Sequence, residues 1–350
     1  METNENRGLY IAKFVACIFV ILIHCKFPGA VGDYFEGLSR FGVPMFFAIS
    51  GWFLLKENDD TPCKIRKRIF PKLIKLVKLT FFMTVIHTAY SFLYAYFVGF
   101  SVPELILSKY NLQEFINLVV FNSGRFIYDY TYTFDHLWYL YALIYVYLLV
   151  IIFAGFLYKW KRGLIVILLF FLYFGELLQT IYPIRPFDIN ICTWYVLRNW
   201  LFVGVPFTML GFELRQFDYK TFNLKYKNFP VILIDLGICF TIFEVYVWGV
   251  KEVYISSLLI VIGILLLCGI RDFKEKKFER FVYAGREFSG NIYFFHVIII
   301  SLVNQFTLAL AGNTFFQTIK PFIVIFISLL FAFILAKFKN KNSGRIYEKR

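Results

Sequence analysis

The 350-residue chain is 59% hydrophobic and only 17% charged, with a mean hydropathy of +0.66. Soluble domains carry roughly a quarter charged residues, so a water-soluble globule is excluded. The formal net charge of +14 raises nucleic-acid binding as a reading, and the placement of the basic residues decides against it.

Apolar runs of bilayer length, roughly 20 residues each, recur along the chain. The first, Leu9 to Phe27, has no small-residue cleavage site behind it and reads as a retained helix rather than a leader. Short and long runs follow at 41–55 and 78–98. Between them, KIRKRIFPKLIKLVK at 64–78 sets Arg68, Lys72, Lys75 and Lys78 beside Ile69, Leu73, Ile74 and Leu76. This is a basic amphipathic helix at the cytoplasmic surface, serving either lipid headgroups or the phosphates of an anionic ligand. The external segment 99–136 is the longest loop, with a net charge of −2 and enough polar residues for part of an outward-facing site. Further spans are expected at 137–158, 163–182, 199–212, 229–248, 253–270, 290–310 and 321–338, before a basic cytoplasmic tail at 339–350.

With the N-terminus inside, the cytoplasmic segments hold 28 Lys and Arg and the external ones 8, with Lys13 inside the first helix. That bias is the positive-inside rule, so the charge sets topology and no nucleic acid is expected as a partner. The predicted fold is an all-α, polytopic transmembrane helical bundle of about ten helices. It forms a single domain over 1–350, in the bilayer, with both termini cytoplasmic. The six cysteines are scattered and form no CxxC pair, so neither a disulfide framework nor a zinc site is expected.

Ionisable groups at membrane depth are costly and point to function. Lys13 and His24 stand eleven residues apart, which on an α-helix places both on one face, roughly 16 Å apart along the axis. Cys17 shares that stripe, whereas Cys25 points away from it. Lys13 reads either as part of a polar lining or as a lysine reaching the inner headgroups. His24 reads either as a donor to a neighbouring carbonyl or as a general base, since imidazole titrates near neutrality. His136 follows Asp135 at the outer start of the fourth span, and His296 lies in the ninth within Tyr293-Phe294-Phe295-His296. His87, beside Thr84 and Thr88, is expected to be a packing residue.

Five stretches taken in order resemble the acyltransferase-3 family of bacterial membrane O-acyltransferases, which modify cell-surface glycans. They are RGLYIAKFVACIFVILIHC at 7–25, FGVPMFFAISGWFLL at 41–55, RIFPKLIK at 68–75, HLWYLYALI at 136–144 and SGNIYFFHVIII at 289–300. The resemblance covers nearly the whole chain. It implies a cytoplasmic acyl-CoA, with acetyl-CoA foremost, as donor substrate rather than bound cofactor. It also implies an envelope glycan or lipid-linked saccharide as acceptor, and the cytoplasmic (inner) membrane as location. By this match His24 is the catalytic histidine and Lys13 stands where many members carry arginine. Arg68 matches the second arginine of a cytoplasmic Arg-x-x-Arg pattern whose first position is Ile65 here, flanked by Lys64 and Arg66. Lys13, Lys64, Arg66, Arg68, His136 and His296 are therefore the expected binding residues, with no metal required. The rival reading is a transporter or flippase for a small acid or lipid-linked sugar, which would also set Lys and His at membrane depth.

Overall fold

The computed structural model describes residues 6–54, 61–127, 131, 133–181 and 197–347. Arg185 and Cys192 lie outside these. Among the described residues the chain is helical, with no strand. In order the α-helices are α1 (Arg7–His24), α2 (Gly29–Ser39), α3 (Gly42–Leu54), α4 (Pro62–Val98), α5 (Val102–Lys109), α6 (Leu112–Phe121), α7 (Trp138–Ile152) and α8 (Ala154–Ile181). They continue as α9 (Val205–Arg215), α10 (Tyr219–Tyr226), α11 (Phe229–Trp248), α12 (Ile255–Ile270), α13 (Glu279–Glu287), α14 (Ser289–Phe306) and α15 (Thr314–Tyr347).

Among the described residues, five stretches are long and apolar enough to cross a bilayer: α1, Asp135–Ile152, α11, α14 and Thr314–Lys339. Only 22% of the apolar window of α11 is buried within the protein. Phe81, Phe306 and Phe315 are 71%, 87% and 75% exposed. An apolar surface of that extent needs lipid rather than water against it, and the chain is a membrane protein.

The chain divides into two compact units. The first comprises residues 1–42, 219–250 and 262–350. Here α1 packs along α2, α13, α14 and α15, and α11 packs on α2. Asn6 caps α1 by accepting from the Leu9 N–H at 3.2 Å, while its amide donates to the Cys268 carbonyl at 3.0 Å. A side chain at Gly285 would strike the Tyr10 carbonyl, so α13 meets α1 backbone to backbone. On α2 the buried Glu36 carboxylate is held by Lys26 and by Arg40, the latter at 2.5 Å.

The second unit comprises 43–218 and 251–261. Its long helix α4 is capped by Thr61 and ends at Gly99, which takes the left-handed φ of 80° that glycine tolerates best. One buried stripe runs the length of α4 at three- and four-residue steps: Ile65, Ile69, Leu73, Leu76, Thr80, Met83, His87, Ser91 and Ala95. Helices α3 and α9 touch through glycines. A Cβ at Gly51 would meet the Thr208 carbonyl, and one at Gly211 the Ala48 carbonyl. Phe47 and Tyr139 pack edge to face, and Ser50 shares a 3.1 Å hydrogen bond with the Tyr139 hydroxyl.

Several expectations differ from the structure. The basic segment 64–78 and the span at 78–98 form one continuous helix, because its exposed face can carry charge without interrupting the buried stripe. The break between the expected spans at 137–158 and 163–182 falls at Phe153, and Lys159, Lys161 and Arg162 lie inside α8. The segment expected as an external loop contains α5 and α6, while α2, α10 and α13 are short helices in segments read as connections.

Candidate functional site

In the first unit, His24 is the last residue of α1 and its ring centroid lies 5.3 Å from that of His296 on α14. His296 is fully buried, and its Nδ1 lies 3.1 Å from the Ile292 carbonyl and 2.9 Å from that of Tyr293. Carbonyl oxygens only accept, so the His296 ring proton sits on Nδ1 and a neutral ring presents Nε2 as an acceptor. Seven residues earlier on each helix, the Cys17 thiol donates to the Ser289 carbonyl at 3.3 Å. Equal spacing of the two contacts means that α1 and α14 run parallel along this face. The Lys13 charge acts on the Cys17 sulphur from the same face. The polar stripe expected on α1 therefore meets α14, and His296 is the partner of His24 that local spacing could not reveal.

In the second unit, three cations from two helices converge on the last turn of α3. Arg215 Nη1 donates to the Trp52 carbonyl at 2.7 Å, Lys72 Nζ to Phe53 at 2.8 Å and Arg68 Nε to Leu54 at 3.0 Å. Burial first, and then the neighbouring Arg215 charge, holds the Arg68 guanidinium below its ordinary pKa. Arg66 donates to the Ile151 and Ile152 carbonyls at 2.7 and 3.1 Å, closing the end of α7. Lys64 is exposed in the first turn of α4. The departure from the expected arginine pattern has a packing reason. Ile65 sits on the buried stripe of α4, 2% exposed, where a solvated arginine would not fit.

His136 lies in the same unit, in a 3-10 turn ahead of α7. It is 3% exposed, with its ring 5.1 Å from that of His87. His87 has the burial and own-helix bond of a packing residue, its Nδ1 lying 2.8 Å from the Met83 carbonyl. It nevertheless faces His136, a contact that the sequence does not signal. Around the C-terminal end of α4, Ser91, Thr131 and Thr133 form a hydroxyl chain at 3.1 and 3.0 Å. The Lys109 ammonium sits 3.4 Å from the centre of the Phe134 ring. His24 and His296 thus come together in one unit, and Lys64, Arg66, Arg68 and His136 belong to the other.

Histidines placed together at the end of a spanning helix are compatible with a membrane enzyme or with a transporter. The choice between the two follows from comparison with known families. The family model described as an acyltransferase domain, that of the acyltransferase-3 family, matches residues 6–337, and the chain belongs to this family. No curated protein and no solved structure matches it. The protein is an acyltransferase, and the transporter reading gives way.

Proposed function

We propose that the protein is a membrane O-acyltransferase of the cytoplasmic membrane. It moves an acyl group, acetyl foremost, from cytoplasmic acyl-CoA to a hydroxyl of an envelope glycan or its lipid-linked precursor. The observation that carries the mechanism is the His24–His296 pair. His24 removes the acceptor hydroxyl proton, and the oxygen attacks the thioester carbonyl. The new C–O bond forms as the C–S bond breaks, and the departing CoA thiolate recovers the proton from the His24 imidazolium. His296, with Nδ1–H committed to its own helix, fixes the ring orientation of His24 and stabilises the imidazolium through its acceptor nitrogen.

Arg68 binds the donor phosphates, with Lys64 and Arg66 contributing to the positive surface. Lys13 and His296 in the first unit, and His136 in the second, are further candidate contacts for donor or acceptor. Ten spans with both ends cytoplasmic fit the parallel run of α1 and α14, because the first and ninth spans of such a bundle cross in the same direction.

The test uses purified protein in lipid nanodiscs with acetyl-CoA, with and without an envelope saccharide fraction. CoA thiol release that depends on the saccharide, with acetyl ester appearing on it, is the expected result. Failure to transfer from any short-chain acyl-CoA would reject the proposal.

A further inference from the structure

We propose that Ser328 on α15 and Ser289 on α14 hold the acyl-pantetheine arm of the donor, Ser328 at the thioester carbonyl and Ser289 at an amide farther along the arm. The inference rests on the acyl-CoA reading above and deepens it by giving that donor a path along named hydroxyls. Its basis is a pair of buried groups without partners. Helix hydroxyls in this chain ordinarily donate to the carbonyl one turn back: Thr80 to Leu76 at 2.9 Å, Thr241 to Gly237 at 2.8 Å and Thr318 to Thr314 at 2.9 Å. Ser289 and Ser328 are 0% and 1% exposed, and neither hydroxyl has a hydrogen-bond partner among the described residues. A buried hydroxyl left unmet destabilises the fold, so each marks a place where a polar ligand is favoured.

Both lie near the His24–His296 contact in the first unit. Ser328 belongs to the buried stripe of α15, with Val324, Ala332 and Ala336, and α15 packs on α14, α1 and α13. The Phe331 ring of α15 lies 5.1 Å from that of Phe295 on α14, and Phe333 lies 6.2 Å from Phe288. Helices α14 and α15 therefore run antiparallel, and Ser328 falls within about a turn of His296, the level at which His24 acts. Ser289 lies seven residues from His296 on α14, roughly 10 Å back along the axis. Its own carbonyl takes the Cys17 thiol at 3.3 Å, which fixes this turn of α14 against α1.

The spacing fits the arm. An extended chain advances about 1.2 Å per bond, so the two amides of a pantetheine lie about 4 and 9 Å from its sulphur. With the thioester held between Ser328 and His24, the second amide comes level with Ser289. Lys13, roughly 16 Å from His24, then falls at about the depth of the phosphate that ends the arm. The ligand chemistry is a thin chain with a carbonyl at its reacting end and amides behind it.

Wild type, Ser328→Ala and Ser289→Ala would be reconstituted in lipid nanodiscs with the saccharide acceptor. Two donors would be compared: acetyl-CoA, and S-acetyl-N-acetylcysteamine, which keeps the thioester and the first amide but lacks the second. Ser328→Ala should lower kcat about a hundredfold with acetyl-CoA, as for loss of a donor to a developing oxyanion, with KM little changed. Ser289→Ala should raise KM for acetyl-CoA about three- to tenfold, and match wild type within about twofold on the short donor. Neither change should lower the unfolding temperature of the ligand-free protein, because each removes a hydroxyl that has nothing to bond.

Wild-type kinetics with acetyl-CoA in both variants would overturn the inference, leave the hydroxyls to buried water and keep the proposed activity standing. A lowered unfolding temperature, or a Ser289→Ala loss equal on both donors, would overturn it in favour of packing roles. Absence of acetyl-CoA turnover in wild type would remove the proposed activity and the arm together.

Discussion

Replacing His24 by alanine removes the imidazole that faces His296 at 5.3 Å, and it does so at the last residue of α1, where little core volume is lost. His24 is only half-buried, so insertion and folding should survive. A positioned general base contributes about 10²–10⁴-fold, or roughly 2.7–5.4 kcal/mol of barrier at 1.36 kcal/mol per decade. Acceptor-dependent CoA release should fall by that factor. His296→Ala leaves the His24 ring present but without its neighbour, and a loss of roughly 10–100-fold is expected, as for groups that orient a histidine through its second nitrogen. Because the two rings act as a unit, the double variant should be no slower than His24→Ala alone. Wild-type activity should also decline on acidification, since only the neutral His24 ring accepts a proton. Near wild-type transfer by a well-inserted His24→Ala protein would refute the mechanism. Losses that simply multiply in the double variant would refute the partnership with His296.

Arg68→Ala should raise KM for acetyl-CoA by an amount equivalent to about 1.5–3 kcal/mol, and unchanged donor kinetics would return the basic face of α4 to a membrane-surface role. Gly211→Ala should drive its methyl into the Ala48 carbonyl and cost about 1–3 kcal/mol, read as a lower unfolding temperature in detergent; an unshifted temperature would mean that α3 and α9 are free to separate. Reporters placed after Thr61 and after Lys339 should read cytoplasmic and one near Asn122 external, and an external C-terminus would overturn the ten-span arrangement. Cys25→Ser should keep its activity, since Cys25 follows α1 off the Lys13 face; abolished transfer would instead point to an acyl-cysteine intermediate.

How much of this could be read from the chain depends on whether the signal was local. The span at 229–248 coincides with α11 because its limits are local chemistry. Pro230 sits in the first turn, and Gly249 takes a φ of 73° at the end. The polar face of α1 was also legible, since Lys13, Cys17 and His24 follow helical spacing on their own. Its partner was not. His296 is 272 positions from His24, and no pattern within either helix pairs them. Charge misleads at α4, where the basic segment 64–78 reads as a surface helix separate from the span at 78–98, and at α8, where Lys159, Lys161 and Arg162 read as a connection. The buried stripe of α4 continues past its basic residues, and in α8 Lys159 and Arg162 are exposed while Lys161 turns inward to Glu213 and Gln216, so composition changes where the backbone does not. The glycines of α2 concealed that helix. Gly32 is needed there because its Cα approaches the Phe27 carbonyl too closely for a side chain. Arg215 escapes notice because the carbonyl it meets, that of Trp52, is 163 positions away.

The continuity of α4 has a mechanical consequence. Its 37 residues make a rod roughly 55 Å long, well beyond the ~30 Å hydrocarbon thickness, with Arg68 near one end and His87 nineteen positions on. Between them Pro71 lacks the N–H that would close onto the Lys67 carbonyl, which leaves one compliant joint in an otherwise stiff shaft. Any bending of the shaft would begin at that joint. The segment beyond it, about 24 Å from Pro71 to His87, would then follow as a single lever.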